Sequence, residues 1–207
     1  MKQCFVIGGG GHARVLLHGL RGLGWQVAGY VAQEPSSAMP VPWLGQDRCR
    51  LALPEGLPGV AFLGVGMVTS APWRRSLIEA FLAQGFDLPP LITHNAMVHD
   101  DVKLGDGSVI LDGAVVVTGS RLGRGCLINT RAVVDHDCVL GDNVHVACGA
   151  TLSGGVRLGA DVMIGTGANL IQGVEVCAGA VIGAGATVVG DVTRPGVYLG
   201  TPARRRQ

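Results

Sequence analysis

The 207 residues carry a formal net charge of +1, which gives neither nucleic acid nor an anionic membrane a bulk electrostatic reason to bind. Glycine stands at 34 residues while aromatics make up only 4%, a balance that excludes an ordinary aromatic-packed core and points to a repeat architecture. No apolar run is long enough to span a bilayer, and the opening MKQCFVIGGGGHA lacks the order of a signal segment, so the positive mean hydropathy reflects buried aliphatic repeats.

In chain order, Cys4–Ile7 reads as a strand and Gly8–Gly11 as a glycine turn. Ala13–Leu23 carries Val15, Leu16, Leu20 and Leu23 at helical spacing, and Gln26–Val31 is a second strand. Val60–Val65 predicts a further strand and Trp73–Gln84 a further helix, with loops at Ser36–Pro42 and Pro54–Gly59. Residues 1–88 are thus expected to form a small Rossmann-like α/β unit with parallel strands, and Leu88-Pro89-Pro90 a hinge. Gly8-Gly9-Gly10-Gly11-His12-Ala13 satisfies GxGxxA, in which backbone N–H groups at a helix start cradle a phosphate. Gly8, Gly10, Gly11 and His12 are therefore candidate substrate-binding residues. The chain after the second strand, Ala32-Gln33, lacks the acidic residue of a dinucleotide site, and the unit is too short for two lobes. It reads as half a site, for one nucleotide moiety; the plainer alternative is that the glycines only make a tight turn.

From Ile92 onward every sixth residue is aliphatic: Ile92, Val98, Leu104, Ile110, Val116, Leu122, Ile128, Val134, Leu140, Val146 and on to Val188. Four residues after each comes a small residue or valine, with few exceptions, as at Ala114, Cys126, Ala132 and Cys138. Glycine often follows the aliphatic directly, as at Gly105, Gly123 and Gly141, where it is expected to permit strained turns. A fixed six-residue period is neither helical nor a plain strand alternation, and it predicts a parallel β-helix over residues 89–193, followed by a tail over 194–207. Three hexads make a triangular coil of about 18 residues, and coils stack at about 4.8 Å. Of six cysteines, Cys4, Cys49, Cys126, Cys138, Cys148 and Cys177, none forms a CxxC pair. The last four are expected at small positions of the repeat, Cys138 and Cys148 buried, and free thiols imply a reducing cytoplasm.

Two histidines interrupt the repeat. His136 stands between Asp135 and Asp137, two residues past Val134, at an outward turn. Stacking by one coil sets Thr118 and Gly154 on either side of His136, and Gly119 and Gly155 on either side of Asp137. The glycines would leave a gap for a substrate and a backbone donor for an oxyanion. His145 is half a coil away and should face another side of the prism, so the two meet only across an interface between chains, as in a cyclic trimer. His94 and His99 read as structural, and His18 as a helix surface residue. A zinc site needs three convergent histidines and only two could converge, so no metal is expected.

The GGGGHA unit, the hexapeptide solenoid, Asn129-Thr130…Asp135-His136-Asp137-Cys138 and Gly200-Thr201-Pro202-Ala203-Arg204 together resemble the bacterial sugar acyltransferases of the sialic-acid O-acetyltransferase type. That family includes the bacillosamine and perosamine N-acetyltransferases. The resemblance covers essentially the whole chain and implies a left-handed β-helix and a homotrimer with sites between subunits. It implies acetyl-CoA in the groove between solenoids and a UDP- or GDP-linked 4-amino-6-deoxy sugar on the N-terminal unit, for surface glycan or glycoprotein synthesis. It further implies His136 as general base with Asp137 as its carboxylate partner, and Asn129 lining the site. His145, Gly154, Thr166, Ala184 and Arg204 would hold acetyl-CoA. An attacking amine must lose a proton, which an imidazole can take near neutral pH, so no acyl-enzyme is needed. Three other readings stay open: O-acetylation of a sialic-acid-like nonulosonate, a non-catalytic nucleotide-sugar scaffold, and a metal-dependent hydratase on the same solenoid.

Overall fold

A computed structural model of the chain describes residues 2–46 and 56–206; Cys49 and the first part of the Pro54–Gly59 loop lie outside them. The first strand, β1 (Gln3–Ile7), is buried on both faces, as a central parallel strand must be. Cys4 and Val6 face one apolar cluster, Phe5 and Ile7 another. With β2 (Gln26–Val31), β3 (Trp43–Gly45) and β4 (Ala61–Leu63) it forms an all-parallel sheet of order β3-β2-β1-β4. Within this sheet β3, a three-residue edge strand, has no counterpart in the sequence expectations.

Helix α1 (Gly11–Gly22) buries Ala13, Leu16, Leu17 and Leu20, and α2 (Trp73–Ala83) buries Arg74, Leu77, Ile78 and Phe81. The α1 face packs against the sheet and also against Leu91, Val109, Leu111 and Leu127, which belong to the repeat. The α/β unit is therefore docked on the solenoid through α1. The expected hinge is part of the packing: Leu88 is buried and its carbonyl accepts from Gly107 N–H at 2.6 Å.

Seventeen two-residue strands, β5 to β21, recur every six residues from Leu91–Ile92 to Thr187–Val188. Strands β5 to β18 each pair in parallel with the strand one coil on, as β14 (His145–Val146) does with Met163 and Ile164. The inner ladder Ile110, Ile128, Val146, Ile164 and Ile182 is fully buried, and each rung contributes about 1.5–3 kcal/mol relative to exposure. The first coil leaves Ile92 and Met97 exposed. The last coil is closed by β22 (Val197–Leu199) and β23 (Arg204–Arg205), which extend one sheet and lay Tyr198 and Ala203 against the core.

The glycines that follow the aliphatics serve a different end from the one expected. A Cβ at Gly141 would lie 2.7 Å from the Ala160 backbone nitrogen, so glycine is required there by the close approach of the next coil. The left-handed turn position falls two residues later and is filled in most coils by another glycine. Arg131, Asp137, Asn143 and Asp161 occupy it at φ near 60°.

Candidate active site

Asp137 sits in that left-handed conformation, at φ 59°, one residue after His136. For a side-chain-bearing residue the conformation costs on the order of 1 kcal/mol, and it brings the carboxylate back onto the imidazole. His136 Nδ1 lies 2.8 Å from Asp137 Oδ2, which fixes Nδ1 as the donor and leaves the Nε2 lone pair free. The same hydrogen bond raises the His136 pKa above its ordinary value, assisted by the charge of Asp135. His136 remains half exposed, at the turn between β12 (Val133–Val134) and β13 (Val139–Leu140).

The stacking read from the repeat is present: Asp137 N–H donates to Thr118 O and Gly155 N–H to His136 O. The gap expected at Gly154 is filled by the imidazole itself, because a Cβ there would collide with His136 Nε2. Gly119 makes the matching space for the Asp137 carboxylate. The two glycines thus make room for the dyad, and among the described residues the Gly154 N–H has no acceptor.

His145 is on another sheet, β14, beneath the loop that joins β4 to α2, and is 6% exposed. Its Nδ1 lies 2.8 Å from the Met67 carbonyl, which can only accept, so Nδ1 carries the proton. Asn129 Nδ2 donates to Nε2 at 3.1 Å. The amide is held that way round because Asn129 Oδ1 accepts from Thr130 N–H at 2.8 Å. Burial, together with the nearby Arg74 charge, lowers the His145 pKa to about 4. His145, Asn129, His12, Met67 and Trp73 line a cavity of about 400 Å³. His12 is on the first turn of α1 and its buried Nε2 has no partner; burial first, then the Arg74 and His145 charges, lower its pKa to about 3.

Gly8 is buried at the end of β1, where a side chain would strike Val65 and Gly64. Gly10 and Gly11 are exposed at the start of α1 with open space above them. Thr166 and Ala184 are exposed and stack in one column with Cys148, through Gly167 N–H to Cys148 O and Gly185 N–H to Thr166 O. Below that column Ala203 N–H bonds Thr187 O, which places exposed Arg204 at the foot of the same edge. The structure therefore collects His12, Asn129 and His145 around one cavity, His136, Asp137 and Gly154 at one turn, and Thr166, Ala184 and Arg204 along one edge.

The bacterial transferase hexapeptide (six repeats) family matches residues 119–154. No curated protein matches the chain. Among solved structures, the acetyltransferase domain of PglB from Neisseria gonorrhoeae, in complex with acetyl coenzyme A, is 35% identical over 99% of each chain, with a TM-score of 0.90. PerB from Caulobacter crescentus, in complex with CoA and GDP-perosamine, is 34% identical over 100% of this chain and 98% of that one, also with a TM-score of 0.90. The chain belongs to the hexapeptide-repeat sugar acetyltransferases. Membership makes it an acyltransferase built on a β-helix.

In this family member two residues of consequence escaped the sequence reading. Met67 acts through its carbonyl, which no side-chain pattern announces. Arg74 is fully buried, and the signal was available: it continues the α2 stripe of Leu77, Ile78 and Phe81 at helical spacing, where an arginine is out of place. Cys148, expected to be buried, is exposed, because it shares the outward turn position of His136 rather than the inward small position. Cys126 and Cys138 are buried, and desolvation raises them to about 12 and about 11, which makes them poor nucleophiles. Among the described residues no three His, Cys, Asp or Glu side chains converge as a metal site.

Proposed function

We propose that this acyltransferase moves the acetyl group of acetyl-CoA onto the amine of a nucleotide-linked 4-amino-6-deoxy sugar. The observation that carries the reading is the exposed imidazole of His136, held in one tautomer by Asp137 with its Nε2 lone pair unused. The relatives crystallised with acetyl coenzyme A, and with CoA and GDP-perosamine, support both substrate classes. His136 takes the proton as the amine attacks the thioester carbonyl. The C–S bond then breaks, and the thiolate leaves with the proton returned by the imidazolium. Asp137 stabilises the imidazolium, and the Gly154 N–H is available to the developing oxyanion.

The active unit is a cyclic trimer in this reading. His136 of one protomer faces the cavity of His12, Asn129 and His145 on its neighbour, since the two groups lie on different sides of one solenoid. Acetyl-CoA runs along the edge of Thr166 and Ala184 to Arg204. The nucleotide phosphates rest on Gly8, Gly10, Gly11 and His12, where free N–H groups at the start of α1 favour an anion. Free cysteines support a reducing compartment such as the cytoplasm, and no described helix is long and apolar enough to cross a membrane.

The test is thiol release from acetyl-CoA with UDP- and GDP-linked 4-amino-6-deoxy sugars and with a nonulosonate. Turnover with an amino sugar, lost in His136→Ala while the trimer persists, supports the proposal. Release with the nonulosonate alone makes the chain an O-acetyltransferase. Silence together with failure to bind acetyl-CoA makes it a scaffold.

A further inference from the structure

Among the described residues Arg74 is the largest fully buried side chain, and its guanidinium links parts of the chain that are far apart in sequence. Nε donates to Val65 O at 2.7 Å, and one terminal nitrogen donates to Gly125 O and, at 2.7 Å, to Asn143 Oδ1. Asn143 in turn donates from its Nδ2 to Ala71 O at 2.9 Å and to Asp161 Oδ1 at 2.8 Å. Asp161 also pairs with Arg75 at 3.3 Å. Val65 and Ala71 bracket the loop that joins β4 to α2. Arg74 ties the Val65 end to Gly125 of the solenoid directly, Asn143, which Arg74 holds through Oδ1, ties the Ala71 end, and Met67 lies between them.

The Met67 carbonyl sets the proton on His145 Nδ1, and His145 Nε2 then receives the Asn129 amide. Met67 and Ala71 also pack against Ala147 and Met163 of the solenoid, a non-directional contact that the Arg74 and Asn143 hydrogen bonds supplement with a fixed orientation of the backbone. We infer that Arg74 is a positioning residue for the acetyl-binding wall: by holding Val65 directly and Ala71 through Asn143 it fixes the Met67 carbonyl, and through it the His145 tautomer that leaves Nε2 to accept the Asn129 amide. The charge works in the same sense. Burial is the main reason His12 and His145 stay neutral, and the Arg74 charge adds to it.

The inference rests on the proposed function for its catalytic meaning, but its test does not need turnover. Nitrogen-15 resonances of the His145 ring are followed against pH in the full-length protein, with acetyl-CoA binding measured on the same samples. The wild type should show a single Nδ1–H tautomer at neutral pH. Arg74→Met should give mixed tautomers, a titration midpoint moved upward toward the ordinary imidazole value, and acetyl-CoA binding weakened about fivefold or more. Asn143→Gly frees Ala71 while leaving the Arg74 charge, and glycine accepts the φ of 59° at that position. It should disturb the tautomer and keep the midpoint low, and it decides the question if Arg74→Met does not fold.

A purely structural Arg74 would lower the unfolding midpoint and leave the His145 ring as in the wild type. Wild-type tautomer and binding in both folded variants would overturn the inference. A wild type that binds no acetyl-CoA would overturn the proposed function instead, and the ring signals would still judge Arg74.

Discussion

The imidazole of His145 donates its Nδ1–H to the carbonyl of Met67 across 2.8 Å, joining the solenoid to a loop of the α/β unit inside the candidate cavity. Because the ring is buried and neutral, that link makes folding sensitive to acid. The folded pKa values are depressed, to about 4 for His145 and about 3 for His12, while the unfolded values are ordinary. Stability from this source is complete above about pH 6.5 and is lost as the pH falls toward the folded values, because only the unfolded chain takes up the protons.

The expected slope in that window is at most about 1.4 kcal/mol per pH unit for each ring, or about 2.8 while both count. Urea unfolding between pH 7 and pH 4.5 measures it, and His145→Asn should remove one ring's share. A stability that is level over this range in the wild type would mean that the rings are not buried neutral.

His136 titrates the other way. Its pKa is raised, mainly by the Asp137 hydrogen bond, and the base works only when neutral, so kcat/KM should climb as the pH rises through that raised pKa. Asp137→Gly removes the bond and the charge, and glycine accepts the φ of 59° at that position. The acid limb of the pH–rate profile should move to lower pH, and the plateau should drop by about tenfold to a hundredfold, because the ring is no longer oriented. His136→Ala should lose about a hundredfold to ten-thousandfold in turnover with the melting temperature nearly unchanged, since the side chain is exposed. A large shift in melting temperature would mark the dyad as structural.

Gly154→Ala separates space from chemistry. The added methyl group would collide with His136 Nε2 and Cε1, and the ring must rotate away from it. Activity should fall about as far as in His136→Ala, with the solenoid intact by circular dichroism. Wild-type turnover in Gly154→Ala would remove the packing of ring on glycine from the mechanism.

The repeat made the fold legible because a solenoid is nearly one-dimensional. Each hexad sees only its neighbours, so counting from Ile92 already put Thr118, His136 and Gly154 in one stack, and the hydrogen bonds follow that count. The same logic placed His145 on another side. What stayed hidden was contact between the two units. Arg74, Met67 and the docking of α1 depend on where a helix and a loop settle on the solenoid, and no local period encodes that. Cys148 was misplaced for a smaller reason: a small residue was assigned to the inward position although it falls on the outward one.

The division of the site between protomers has its own test. His136 and Asn129 lie on different sides of one chain, and each proposed site takes His136 from one protomer and Asn129 from the next. His136→Ala and Asn129→Ala should each be inactive alone. Co-expressed in equal amounts they form mixed trimers, in which an interface works only when it draws the intact residue from both sides. Each intact side has an even chance, so about one quarter of interfaces should be active. Thiol release should then return to about a quarter of the wild-type rate per protomer. If instead His136 served the cavity of its own chain, every protomer in the mixture would carry one defect in its own site, and no activity would return. The two outcomes differ in kind, so the mixture distinguishes a site between chains from a site within one.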